Sequence, residues 1–271
     1  MDTFLARYAD IHNPGHHRRV VTQLRDHGLV TFSGIQDRTA LLAAAARLLA
    51  IRPNRDAAAD GVTLITAAGD AVAPGYAAFT DKELTPHTDG SSLTIPPGLV
   101  MLACLQPAAG GETCVADGAR VLRALAGRCP AAFQALSTPR SAFFGTADGY
   151  LGAICEEAGP GRLRVRLRLD GLARFSPEVS DILPILRAVI AENQETFQLR
   201  SGQGLLLNNT RWLHGRQRFV GQRVMLRILG DPLPCTAIAP GFPYHPSGHK
   251  TGKAIRRRTG GGTAQTPTPV T

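Results

Sequence analysis

A histidine and a carboxylate two residues apart, His87 and Asp89 in Pro86-His87-Thr88-Asp89-Gly90, are the residues of this sequence best suited to chemistry. On an extended segment, residues i and i+2 project to the same side. An imidazole nitrogen and a carboxylate oxygen can therefore reach one cation from this stretch. Two histidines and one carboxylate on one face of an octahedral ion leave three coordination positions open, the donor set used with non-haem Fe(II). Taken alone, the triplet describes a buried hydrogen-bonded pair or a surface loop equally well. A second histidine is needed, and His214 lies far downstream in a separate strand–loop segment.

Residues 17–29, with Val20, Val21 and Leu24 on one face, read as a short amphipathic helix ending at Gly28, before a strand at 29–32. The Ala- and Leu-rich run from Thr39 to Leu49 reads as a second helix, stopped before Pro53. Residues 53–86 carry no clear period and are expected to form a long loop walling the metal motif. Leu99 to Leu105 is an apolar strand. Gly110-Gly111-Glu112-Thr113 is a tight turn before Cys114-Val115-Ala116, and helices are expected at 117–125 and 130–136.

Arg162 to Leu169 alternates Arg with Leu or Val, the pattern of an antiparallel strand with one wet face. Ser176-Pro177-Glu178 caps a helix that Pro184 is expected to kink or delay. Strands are expected at 205–208 and 223–229, with Asn209 to Trp212 a polar loop leading to His214. Helices prevail before residue 85 and strands after it.

Composition narrows the classes. The chain has 271 residues and a net charge of +9. Lys250, Lys253, Arg256, Arg257 and Arg258 concentrate charge in a tail with no acidic and almost no large apolar residue. That tail, 246–271, is expected to be disordered and solvated. A nucleic-acid partner is disfavoured, because only 6% of residues are aromatic and no base-stacking platform is visible. Five cysteines without C-x-x-C spacing suit reduced thiols in a cytoplasmic protein and exclude a zinc ribbon. No apolar run is long enough for a membrane span and no secretory signal is visible.

Several motifs occur in a fixed order: His87-Thr88-Asp89, Pro96-Pro97, Gly110-Gly111-Glu112-Thr113, the Gly204 to Asn208 strand, His214, and Arg223-Val224-Met225-Leu226-Arg227 followed by Leu229-Gly230-Asp231-Pro232. Together they resemble the taurine dioxygenase-like (TauD/TfdA) family over roughly residues 84–234. The resemblance implies a mainly β fold with flanking helices (α+β), built on a double-stranded β-helix, the jelly-roll or cupin-like core. It implies one catalytic domain over 1–245, with a helical N-terminal flank at 1–52.

The resemblance further implies that His87, Asp89 and His214 ligate Fe(II), with 2-oxoglutarate and O2 as co-substrates. Thr113 would contact the co-substrate, and Arg223 would grip its far carboxylate by the two parallel hydrogen bonds that only a guanidinium offers. Arg227 shares a strand face with Arg223 and is placed near the co-substrate or an anionic group of the substrate. Phe79 and Glu83, just before the metal motif, are the remaining substrate-wall candidates, with Glu83 suited to an ammonium group. The implied reaction hydroxylates or desaturates an unactivated C–H of a small molecule, an amino acid or natural-product intermediate, releasing succinate and CO2. The Asp89 carboxylate argues against halogenation, because related halogenases lack it. A non-catalytic cupin-like binding protein is the rival class.

Overall fold

The computed structural model describes residues 3–69 and 75–244. Two antiparallel sheets face each other. The larger runs in the order Leu29–Phe32, Gly204–Asn208, Leu99–Gln106, Val224–Pro232, Leu49–Ile51, with Val62–Ile65 also paired to Val224–Pro232. The smaller runs Gln194–Phe197, Thr113–Asp117, Trp212–Arg216, Leu84–His87.

Strand period two sorts the apolar side chains into layers. Leu205, Leu207, Val100, Cys104 and Met225 of the large sheet meet Val115, Phe197 and Trp212 of the small sheet in one buried cluster. The alternate residues Leu206, Met101, Ala103, Leu226 and Ile228 face outward onto Val20, Leu24, Leu41 and Ala45 from the first two long helices, His17–His27 and Arg38–Ala45. On the far side, Ala116 and Leu213 pack under the helices Gly118–Arg128, Pro130–Ser137 and Pro177–Glu192. The result is a two-sheet β core between helical layers, the expected jelly-roll type with flanking helices.

Local signals act where they were legible. The Gly28 N–H, at a left-handed φ of 74°, donates back to the Gln23 and Leu24 carbonyls and ends the first of these helices. Asp37, Asp117 and Ser176 cap the helices that follow them.

Three readings are corrected. The Ala/Leu run stops being helical at Ala45, and Leu49–Ile51 pairs with Gly230 to Pro232 as a strand; edge pairing outweighs intrinsic helix preference there. The segment taken as a long loop contains Val62–Ile65, paired to the strand that carries Arg227. Helices still prevail over strands before residue 84. Of the two outcomes expected for Pro184 the delayed start does not occur, because the helix Pro177–Glu192 begins at Pro177 and contains it. The wet-faced strand ends at Val165, and Arg166 is among the most completely buried side chains of the protein. The tail 246–271 lies outside the described residues, as does the stretch 70–74.

Candidate metal centre and active site

The small sheet assembles the site. His87 is the last residue of its edge strand, Leu84–His87, where Pro86 costs no ladder hydrogen bond if its missing N–H faces outward. His214 lies within the fully buried strand Trp212–Arg216, not after a loop reaching past Trp212. In the ladder between them His214 is registered directly against His87. Close approach here requires glycine: a Cβ on Gly215 would lie 2.3 Å from the Leu84 carbonyl oxygen.

The Asp89 loop is fastened from two directions. Asn209 accepts from the Asp89 N–H at 2.8 Å and donates to the Asp89 and Pro97 carbonyls at 2.9 and 2.8 Å. The Thr88 N–H donates to the Leu167 carbonyl at 2.8 Å, and the Leu167 N–H donates to the Thr88 hydroxyl at 3.0 Å. Gly90, at φ 66°, makes the turn that follows, and a Cβ there would strike Pro97 at 2.7 Å.

Three donors converge as a result. One ligand atom each from His87, Asp89 and His214 lies within 4.8 Å of the others. His87 Nε2 is 3.7 Å from Asp89 Oδ1, and His214 Nε2 is 3.5 Å from Asp89 Oδ2. His87 Nδ1 donates to the Thr85 carbonyl at 3.0 Å, which leaves Nε2 unprotonated in the neutral ring and turned to the site. Asp89 Oδ2 is buried without a hydrogen-bond partner, a cost that a cation between it and the two imidazoles would relieve. An N, N, O set with a carboxylate lone pair unspent fits a divalent first-row metal.

Electrostatics supports the same donor states. Burial opposes a charged Asp89, but the Arg227 guanidinium and then the two imidazoles outweigh it and hold the carboxyl well below its usual range. Burial, reinforced by His87, lowers His214 below the ordinary histidine value, keeping the ring in its ligating neutral form.

Arg227 lies two residues beyond the inward Met225 on the strand Val224–Pro232, and Arg223 immediately precedes that strand; both are buried. They differ in what they meet. Arg227 donates to Asp89 Oδ1 at 3.2 Å and stands 3.8 Å from Asp56. Arg223 is buried, with burial lowering its pKa, yet among the described residues its guanidinium makes no hydrogen bond or ion pair. A buried cation without a carboxylate is a receptor for one. Thr113 is buried on the neighbouring strand, registered against Arg216, and Gly111 of the same turn packs beside the Arg223 side chain.

Phe79 is half-buried and packs against the apolar cluster between the sheets. Glu83 is not brought there: it is exposed, and its charge bears on Cys114, which leaves its strand on the opposite face from Thr113 and Val115. His12, His16 and His17 form no metal-type cluster among the described residues.

Three functional contributors were missed in the sequence. Asn209 looked like a loop residue and Arg166 like a solvated strand residue, and Arg216 drew no reading. Arg166 donates to the carbonyls of Ser91, Leu93 and Thr94, and its guanidinium lies 3.7 Å from the centroid of the Tyr150 ring. It thereby sets the loop that follows the metal motif. The only prior signal was position, Asn209 and Arg216 each lying within five residues of His214.

The fold and donor set define a class, proteins of two facing antiparallel sheets with a two-histidine, one-carboxylate cluster suited to a single metal ion. The chain belongs to the taurine catabolism dioxygenase TauD, TfdA family, whose model matches residues 5–229. Human gamma-butyrobetaine dioxygenase is 28% identical over 169 residues, which is 55% of this chain and 43% of that enzyme; the enzyme from Pongo abelii matches equally. The match thus spans less than half the length of these curated relatives. Among solved structures, an asparagine oxygenase in complex with Fe(II), 3-hydroxyasparagine and succinate superimposes with a TM-score of 0.65 at 18% identity, covering 80% of each chain. The non-haem iron oxygenase OrfP, in complex with Fe, succinate and (3S)-hydroxy-L-Arg, superimposes at 0.60 and 14% identity, covering 84% of this chain and 88% of that one. No helix among the described residues is long and apolar enough to cross a membrane.

Proposed function

We propose that this protein is an Fe(II)- and 2-oxoglutarate-dependent dioxygenase that hydroxylates or desaturates a C–H bond of a small molecule, an amino acid or a related natural-product intermediate. The observation that carries the reading is the coincidence of two incomplete receptors: a buried N, N, O donor set with unspent lone pairs, and a buried arginine without an anion. Family membership supplies the chemistry that joins them.

His87, Asp89 and His214 would hold Fe(II), with His87 oriented by the Thr85 carbonyl and Asp89 by Asn209. Arg223 would pair the distal carboxylate of 2-oxoglutarate bidentately, and the Thr113 hydroxyl would contact the same molecule. Held there, Fe(II) and 2-oxoglutarate would supply the oxidising chemistry for attack on a C–H bond, with 2-oxoglutarate and O2 converted to succinate and CO2. Arg227 keeps Asp89 ionised as a ligand and offers its remaining donors to an anionic group of the substrate. Phe79 would form an apolar wall. Cytoplasmic location and a small-molecule partner, not a nucleic acid, belong to the same reading.

The test is an anaerobic titration with Fe(II) and 2-oxoglutarate, read by the visible charge-transfer absorption of the chelated co-substrate. We expect it in the wild type and its loss in His87→Ala. Iron bound without that absorption would refute co-substrate chelation. Succinate release from a panel of amino acids would then identify the substrate.

A further inference from the structure

Arg216 follows His214 by two residues and shares its inward face, yet it meets no carboxylate at ion-pair distance among the described residues. Its guanidinium is buried against backbone instead. Nη1 donates to the Lys82 carbonyl, and Nη2 to the Thr80 carbonyl and, at 3.3 and 3.5 Å, to those of Ala77 and Ala78. The two remaining carbonyls of this stretch are also engaged: Phe79 accepts from the Ala68 N–H at 2.9 Å and Asp81 from the Phe219 N–H at 3.0 Å. Every carbonyl from Ala77 to Lys82 therefore has a donor, and one arginine serves four of the six. Beyond the single 3-10 turn at Ala77–Phe79, whose Ala77 carbonyl also accepts from Thr80, the segment belongs to no ladder, so its place against the sheet depends on that side chain.

A second relation concerns charge. Arg216 and Arg223 both lie against the Phe219 ring, with guanidinium carbons 4.8 and 5.9 Å from its centroid. Two cations this close in a buried site repel each other, and an anion beside one of them lowers the cost of keeping the other in place.

We propose that Arg216 is a positioning residue that fastens segment 77–82, with Phe79, as the wall of the site, and couples closure of that wall to the carboxylate bound by Arg223. The coupling rests on the 2-oxoglutarate reading above; the fastening does not. Because coupling is reciprocal, a closed wall also strengthens co-substrate binding.

The test is limited trypsin digestion of the full chain, following cleavage after Lys82 and, in the same digest, after Arg140 on an exposed loop. In the wild type, 2-oxoglutarate with Fe(II) under anaerobic conditions slows cleavage after Lys82 and leaves Arg140 unaffected. Arg216→Gln speeds cleavage after Lys82 by about tenfold or more relative to Arg140, because proteolysis follows the population of the open segment. That variant no longer responds to 2-oxoglutarate at Lys82 although the charge-transfer absorption still forms at high co-substrate. Arg216→Lys, which keeps the charge and some donors, restores part of the protection.

Equal acceleration at both bonds would show general destabilisation and overturn the proposal, as would no acceleration at Lys82. Loss of the absorption in Arg216→Gln at saturating 2-oxoglutarate would make Arg216 a ligand and overturn it too. No absorption in the wild type would remove the oxygenase reading and the coupling, while the digestion without co-substrate would still decide the fastening.

Discussion

His214 stands directly opposite His87 in the ladder between strands Trp212–Arg216 and Leu84–His87, their ring centroids 4.6 Å apart. A cross-strand pair at this separation is ordinary packing for apolar side chains. For two imidazoles turned toward one buried carboxylate it is a coordination geometry. The register of a single strand pair thus decides whether the protein has a metal centre.

Replacing His87 with Ala should weaken divalent-metal binding by more than about tenfold, because even a residue that only orients a ligand is worth 10–100-fold. The metal-free protein should melt within a degree or two of the wild type, since His87 sits at a sheet edge and is half-buried. Anaerobic Fe(II) titration and thermal melts separate the two quantities.

Asn209→Ala should lower both stability and metal affinity. Its side chain makes three buried hydrogen bonds to the Asp89 and Pro97 backbone, each worth about 1 kcal/mol net, so a loss of roughly 2–3 kcal/mol is expected. In a chain of this size that corresponds to a fall of several degrees in melting temperature. An unchanged melting temperature would show that Asn209 does not hold the loop.

Arg223→Lys should raise the dissociation constant for 2-oxoglutarate on the order of 10²-fold and leave Fe(II) binding intact. An ammonium replaces a planar fork with a point charge and forfeits the parallel pair of hydrogen bonds. Equilibrium titration of the charge-transfer absorption in variant and wild type reads the change. Equal affinities would place the carboxylate elsewhere.

Thiol labelling should be ordered by burial and pH. Burial pushes Cys114 up to about 11, with Glu83 and Glu112 adding to the effect, and pushes Cys155 up to about 11. A raised pKa leaves less of the reactive thiolate at any pH below it, so at pH 8 both are unreactive on two counts. Cys235 is exposed and should react first. Mass mapping after brief iodoacetamide treatment at pH 8 and again at pH 9.5 checks this. Rapid alkylation of Cys114 or Cys155 in the folded protein would contradict the packing around the small sheet.

What the sequence determined by itself was local or periodic. The apolar runs Leu99 to Leu105 and Leu205 to Leu207 announced buried strands, and Gly28, Asp117 and Ser176 announced helix ends, because caps and alternation act over a few residues. The i, i+2 spacing of His87 and Asp89 was legible, although Asp89 lies in the turn just after the strand Leu84–His87 and not on it. The ordered motif set pointed to the family that the match over residues 5–229 bears out.

Only the tertiary structure decided which of these residues meet. The pairing of His87 with His214 depends on the register of strands more than a hundred residues apart, which no local rule sets. Leu49–Ile51 became a strand because Gly230 to Pro232 offered an edge, and Glu83 was turned outside by the strand that follows it. Nothing in the local sequence marks Arg166 or Arg216 as buried. Each is buried because a stretch on one side of the metal motif presents several carbonyls to it, and a guanidinium has the reach and the number of N–H groups to satisfy them.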